Sequence, residues 1–187
     1  MRSGLSRAVP LVVACSALAL CGAPSVAAAQ GTGCGFTRMA ATAAPETDVR
    51  SALRCLVNVT REEHGLRPLR PSRLLRAAAE RQSADMVARG YFAHVTPEGK
   101  SVADRLREAG YLGGSQDWAV GEDIGWGTST LSSAAAIFAA WMHSPPHRRV
   151  ILDRDFRQIG IGVARGVPVP GQGDGATFVM DLGEVGW

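Results

Sequence analysis

The sequence predicts an α+β domain, on three observations. Four segments repeat apolar residues at the spacing of a helix buried on one face. Three segments in the C-terminal half have the length and alternation of strands. Turns rich in Gly and Pro join them, with no internal repeat and no interdomain linker. A chain of 187 residues has the length of one domain once a leader is removed.

Residues 1–29 read as a secretory signal peptide. Arg2 and Arg7 form its basic start, Val9 to Leu20 its apolar middle, and Ala27-Ala28-Ala29 its small-residue cleavage site. The apolar run is short for a membrane span, and no later segment is long and apolar enough to be one. Cys21 raises the question of a lipoprotein anchor. Leu20 before it argues against that, because such a signal takes a small residue there. The expected location is therefore extracellular. Cleavage leaves Cys34 and Cys55, which an oxidising compartment is expected to join, with two free thiols as the alternative. The bridge would close a loop of about 20 residues, worth roughly 3 kcal/mol in the chain-entropy model. It would tether residues 30–46, which lack periodicity, ahead of a domain at 47–187.

The first helix is predicted from Thr47 to His64. Thr47 is its N-cap, Asp48 meets the positive end of the dipole, and Gly65 is its stop. Ala52, Leu53, Leu56 and Val57 form its buried face. Asn58 beside that face reads as a buried hydrogen-bonding residue; Asn58-Val59-Thr60 also spells a glycosylation sequon, but a helix is a poor acceptor. Leu66 to Pro71 is extended, since each proline biases the residue before it. Ser72 caps a second helix, to about Arg89, with Leu75, Ala78, Ala79, Gln82 and Met86 as its inner stripe and Gly90 as its end. Tyr91 and Phe92 read as an aromatic anchor. Thr96-Pro97-Glu98-Gly99 is a turn. Ser101 and Asp104 make a capping-box pattern for a short third helix ending at Gly110.

Tyr111 to Trp118 reads as a loop and Ala119 to Trp126 as a strand. Thr128, Ser129 or Thr130 starts the fourth helix, whose wide apolar face includes Ala134, Ile137, Phe138 and Trp141. Pro145 ends it. Between Phe156 and Arg165, Ile159, Ile161 and Val163 alternate with Gly160 and Gly162. That is a strand with one bare face, against which another backbone must lie close. Residues 167–175 form a hairpin loop, and Ala176 to Leu182 the closing strand.

Twenty Lys and Arg face seventeen Asp and Glu; cleavage removes two arginines and no acid, leaving 18 against 17, a formal charge of +1. That balance argues against nucleic acid or an anionic membrane surface as partner. Every basic residue but Lys100 is arginine, which reads as compositional bias.

Chemistry is concentrated in a few polar residues beside breaks in regular structure, where loops on a rigid scaffold carry sites. Glu122 sits among glycines. His94 directly follows the aromatic pair. His143 and His147 have the HxxxH spacing of a zinc pair, but Pro145 and Pro146 between them break a shared helical face. His143 is expected exposed on the last turn, and His64 suits a helix end. The plainer alternative is a proline pair that only stops a helix, with His147 as a polar cap, and a polar cluster that ties loops to the sheet.

In order, the chain reads FAHVTPEG, GEDIGWG, WMHSPPHR, then Ile151-Leu152 and IGIGVA. This succession resembles the bacterial branch of the CAP superfamily, the cysteine-rich secretory, antigen-five and pathogenesis-related proteins, or SCP domains. The resemblance covers about residues 48–184, including the first helix with Asn58 and Arg61. It implies a three-layer α-β-α sandwich around a mostly antiparallel sheet. It also implies an open cleft holding two histidines and two acids, which binds zinc in some members. Carried over by motif, the histidines are His94 and His147 and one acid is Glu122. The second acid falls at Ser144, and Asp123 stands where the family usually has Asn.

The resulting expectation is an extracellular or envelope-associated binding protein acting through a cleft of His94, Glu122, Ser144 and His147. Weak divalent-metal binding, with Zn2+ as the metal, would run through His94, Glu122 and His147. Its ligand would be a small molecule, a lipid or an envelope component. The alternative is a hydrolase, metal-assisted or using His and Glu as acid and base, with His94, Glu122 and His147 as the candidate catalytic residues. A serine hydrolase is disfavoured, because Ser144 lies in no G-x-S-x-G pattern and no acid is placed to orient a histidine. Since one fold hosts many functions, the resemblance does not choose among these.

Overall fold

A computed structural model describes residues 33–186. The predicted signal peptide, with Cys21, lies outside them. Helix α1 (Glu46–Glu63) buries Val49, Ala52, Leu53, Leu56 and Val57 on one face. Its N-cap falls two residues earlier than the capping pattern suggested. Pro45 occupies the N-cap position with no side-chain cap, and Thr47 lies inside the helix. His64 closes it, its Nδ1 bonded to the Thr60 carbonyl at 2.8 Å, in the structural role expected of it. Asn58 bonds both backbone groups of Leu69, at 3.1 and 2.8 Å, and so pins the extended link to the helix. Cys34 and Cys55 are joined, with Cα atoms 5.7 Å apart. The segment before α1 also packs on the chain: Ala135 N–H donates to the Thr37 carbonyl at 2.8 Å, and Ala41 and Ala44 are buried.

The link ends in a two-residue strand, β1 (Arg70–Pro71). Ser72 then caps α2 (Arg73–Arg89), accepting from Leu75 N–H at 3.4 Å, and Gly90 ends it at φ 67°. Its inner stripe is buried as the spacing predicts. Ser101 and Asp104 form both halves of a capping box on α3 (Val102–Glu108).

Strand β2 (Trp118–Thr128) leads to a 3-10 turn at Ser129–Ser132, and Ser133 caps α4 (Ala134–His143). The fourth helix thus begins later than expected. Several hydroxyl residues compete for the cap, and the turn folds back so tightly that a Cβ on Gly127 would lie 2.3 Å from the Leu131 carbonyl oxygen. The proline pair ends α4 but also starts a helix the sequence reading missed, α5 (Pro145–Ile151). Ser144 is extended at φ −97°, ψ 113°, as a residue before proline prefers. Pro145 then takes the first helical position, where a missing N–H costs nothing.

Strands β3 (Gln158–Arg165) and β4 (Gly175–Val185) complete a sheet of order β1-β3-β4-β2, with β1 parallel to β3 and the other pairs antiparallel. One face buries Ile159, Ile161, Val163, Phe178, Met180 and Leu182 in a core shared with α1 and α4. The other carries α2. A Cβ on Gly160 would lie 2.1 Å from Arg76 N, and one on Gly162 2.2 Å from the Ala79 backbone, so the bare face lets α2 lie directly on the strand. The architecture is the α-β-α sandwich.

Candidate functional site

Strand β2 is an edge strand, bonded only to β4. Alternation turns Glu122 toward α2 and α3, as it does Ile124, which packs with Ala79 and Met86. Asp123 turns the other way, like Gly125, whose hydrogen faces Trp141.

The Glu122 side chain is 1% exposed and has both oxygens engaged. Arg105 Nη2, from α3, donates to Oε2 at 2.5 Å. His94 Nδ1 bonds Oε1 at 2.8 Å. The same Arg105 donates through Nη1 to the His94 carbonyl at 2.7 Å, so one buried guanidinium fixes both the backbone of His94 and the carboxylate its ring reaches. The loop before His94 is held as well, by Gln82 Nε2 donating to the Ala93 carbonyl at 3.1 Å and Tyr91 O–H donating to Asp85 at 2.6 Å. Phe92 is not an anchor: it is 42% exposed, and Val95 and the His94 side chain are about half exposed as well. Tyr91 takes the inward, hydrogen-bonded position, and its neighbour points outward.

His147 comes from the other face. Helix α5 packs over Gly121, where an added Cβ would lie 3.1 Å from Val150 Cγ1. His147 Nδ1 contacts Ser144 Oγ at 2.7 Å. Burial lowers the His147 pKa, and the charge of His94 lowers it further. Neither Nε2 is bonded among the described residues. His143, by contrast, is exposed and bonded to the Ala139 carbonyl at 2.7 Å, apart from the other two.

Two partners escaped the sequence reading. Arg105, inside the short third helix, was not singled out. Asp181 lies opposite Glu122 in the β2–β4 register and is 1% exposed. Burial, and then the charge of Glu122, raises its pKa well above the usual carboxylate value. An acid inside the apolar run TFVMDL was the signal for it. Asp123 is also buried, with neither oxygen bonded. Burial and the adjacent Glu122 push it up to about 8, so it is protonated at neutral pH and resembles, in shape and charge, the Asn of the family pattern.

The expected ligand set His94, Glu122 and His147 does not form a compact three-ligand group. Among the described residues no group of three or more His, Cys, Asp or Glu side chains could hold a metal ion. Glu122 is engaged by His94 and Arg105, which leaves two imidazole Nε2 atoms as the available donors.

Residues 55–179 match the cysteine-rich secretory protein (CAP) family. Over 107 residues the chain is 34% identical to the uncharacterized protein YkwD of Bacillus subtilis (strain 168), covering 57% of this chain and 39% of that protein. The chain therefore spans well under half the length of this curated relative. Two solved structures are similar. One is an extracellular SCP-domain protein of Bacillus anthracis, with TM-score 0.57 and 22% identity, covering 74% of this chain and 43% of that one. The other is an outer surface protein of Borrelia burgdorferi, with TM-score 0.60 and 17% identity, covering 76% and 97%. At these identities the likeness establishes the fold.

Proposed function

The chain belongs to the cysteine-rich secretory protein (CAP) family, and from that premise we propose that it is a secreted or envelope-associated binding protein whose cleft lies between His94 and His147. One observation carries the reading: a buried Arg105–Glu122 pair is devoted to orienting a half-exposed histidine. A carboxylate only accepts, so Glu122 places the His94 proton on Nδ1 and leaves the Nε2 lone pair facing outward. Ser144 Oγ holds Nδ1 of His147 at 2.7 Å; a hydroxyl donates or accepts, so His147 offers either a lone pair or an N–H at Nε2. Two free imidazole Nε2 atoms, with the exposed Phe92 and Val95 close in sequence to His94, suit a ligand with hydroxyl or amide groups and an apolar part, such as a lipid or another envelope component.

The same donors suit a divalent ion held by His94 and His147, with Glu122 behind His94 as an orienting partner. Such an ion would add positive charge to attract a carbonyl or anionic group. Two protein ligands instead of the usual three or four make the binding weak. Zinc calorimetry on metal-free protein tests this. His94→Ala and His147→Ala are each expected to abolish binding, Glu122→Gln to weaken it roughly 10–100-fold, and His143→Ala to leave it unchanged. Zinc binding that survives both alanine variants would remove the metal from the reading.

A hydrolase reading comes second, in the serine form that the sequence pattern disfavoured. The Ser144–His147 contact of 2.7 Å has the reach of a nucleophile and its base. It lacks the third group, since no carboxylate bonds His147 among the described residues. Ester or peptide hydrolysis by the purified protein, lost in both Ser144→Ala and His147→Ala, would reverse the order of the two readings.

A further inference from the structure

A second concave site lies at the opposite edge of the sheet, independent of the histidines. There β1 pairs only with Gln158 and Ile159, and a cavity of about 340 Å³ opens between α1 and the first turn of α2 over Ile159 and Ile161. Arg50 and Arg54, one turn apart on α1, and Arg73 and Arg76, at the start of α2, line it. Arg50 reaches Glu46 at 3.6 Å and Glu80 at 3.3 Å, and Arg76 reaches Glu80 at 3.9 Å. Arg54 and Arg73 are in no salt bridge among the described residues. Four guanidinium groups against two carboxylates leave two positive charges uncompensated in one cavity. Helix α2 adds to them: its first turn holds no acid, whereas those of α1 and α3 do, so its positive end is uncompensated too.

Guanidinium groups recognise oxyanions through paired, planar N–H donors, and near pH 7 a phosphomonoester carries a charge of about −1.5 to −2, which matches the local excess. The cavity is too large for phosphate alone and falls at the lower end of small-ligand sites, roughly 300–1,000 Å³. The β3 segment 159–161 closes it, with both isoleucine side chains largely buried beneath. We infer that this cavity binds a small organic phosphate, with the phosphoryl group between Arg54 and Arg73 and the carbon portion over Ile159 and Ile161. Arg50, held by Glu46 and Glu80, ties α1 to α2 across the sheet edge, the two helices that bring Arg54 and Arg73 to the one cavity.

Calorimetry and the 15N shifts of the arginine Nε–H groups test the inference on purified protein at constant ionic strength. The probes are glycerol 3-phosphate, inorganic phosphate, and phosphatidylcholine vesicles with or without phosphatidic acid. Glycerol 3-phosphate is expected to saturate, to move the Arg54 and Arg73 signals, and to bind more tightly than inorganic phosphate. R54A/R73A should weaken it at least tenfold. R54K/R73K keeps the charges but loses the paired donors, so it should weaken binding several-fold even if the alanine pair folds poorly. His94→Ala should leave it unchanged, which separates this site from the histidine cleft. Binding to phosphatidic acid vesicles but not to the soluble ester, lost in R54A/R73A, would assign the phosphoryl group to a lipid headgroup. No saturation with any probe, or equal binding by wild type and both double variants, overturns the inference.

Discussion

Asp123 shows what a single buried acid does to the pH dependence of the whole chain. Folding raises its pKa from the ordinary 3.8 to about 8, through burial first and Glu122 second. Between those values the folded state holds a proton that the unfolded state has lost. Stability contributed at this position is therefore complete below about pH 4, falls as pH rises, and is gone above about pH 8. Asp123→Asn removes the titration. Its stability in denaturant unfolding should gain on wild type steadily from pH 4 to 8, by an amount on the order of a few kcal/mol at the upper end. A difference independent of pH would show that Asp123 is solvated. Arg61, unlike Asp123, is buried as a charge. It is 0% exposed and donates to the carbonyls of Arg67, Ile151, Asp153 and Phe156, with no carboxylate bonded to it. Lysine cannot reach four acceptors in a plane. Arg61→Lys should cost at least about 2 kcal/mol in denaturant unfolding, through unsatisfied buried carbonyls.

At the scale of elements, two packings hold the layers together. Trp141 on α4 is 2% exposed and donates from Nε1 to the Ile124 carbonyl at 2.9 Å, so it joins the helix to β2 by both area and a hydrogen bond. Trp141→Ala should cost about 3–5 kcal/mol in denaturant-midpoint analysis, because its neighbours belong to different elements and cannot all collapse into the space. On the other face, Gly162→Ala would drive a methyl group into the Ala79 backbone at 2.2 Å. Since α2 must then lift from β3, the variant should lose about 1–3 kcal/mol or more, and amides on the facing turn of α2 should exchange faster with deuterium. The bare glycines made this packing legible beforehand. Helix α5 was not legible, because two prolines mark a helix end and a helix start alike.

For the whole molecule, the Cys34–Cys55 bridge ties the segment before α1 to the rest of the described chain. Reduction should lower stability by roughly 3 kcal/mol, read as a shift of the denaturant midpoint with and without reductant. Metal affinity should also follow pH. Ligation needs neutral imidazoles, so zinc binding should weaken as pH falls through the histidine range. Burial and His94 lower the His147 pKa, so His147 itself charges only below the usual imidazole value. Zinc affinity that is flat from pH 5 to 7.5 would exclude both histidines as ligands.

Periodicity and caps were enough to locate the helical faces and the three long strands, because each depends on residues close in sequence, and the disulfide followed from the two cysteines left after the expected cleavage. The motif order was enough to identify the family and to single out His94, Glu122 and His147. Tertiary structure alone decided what those residues touch. Glu122 became an orienting partner because Arg105, seventeen residues before it, lies within 2.5 Å. Asp181 joined it because antiparallel register places β4 beside β2. Four arginines that read as compositional bias line one cavity because the sheet edge brings α1 and α2 together there. Burial and the distance between residues remote in sequence determine charge state and bonding partner, and neither exists until the chain is packed.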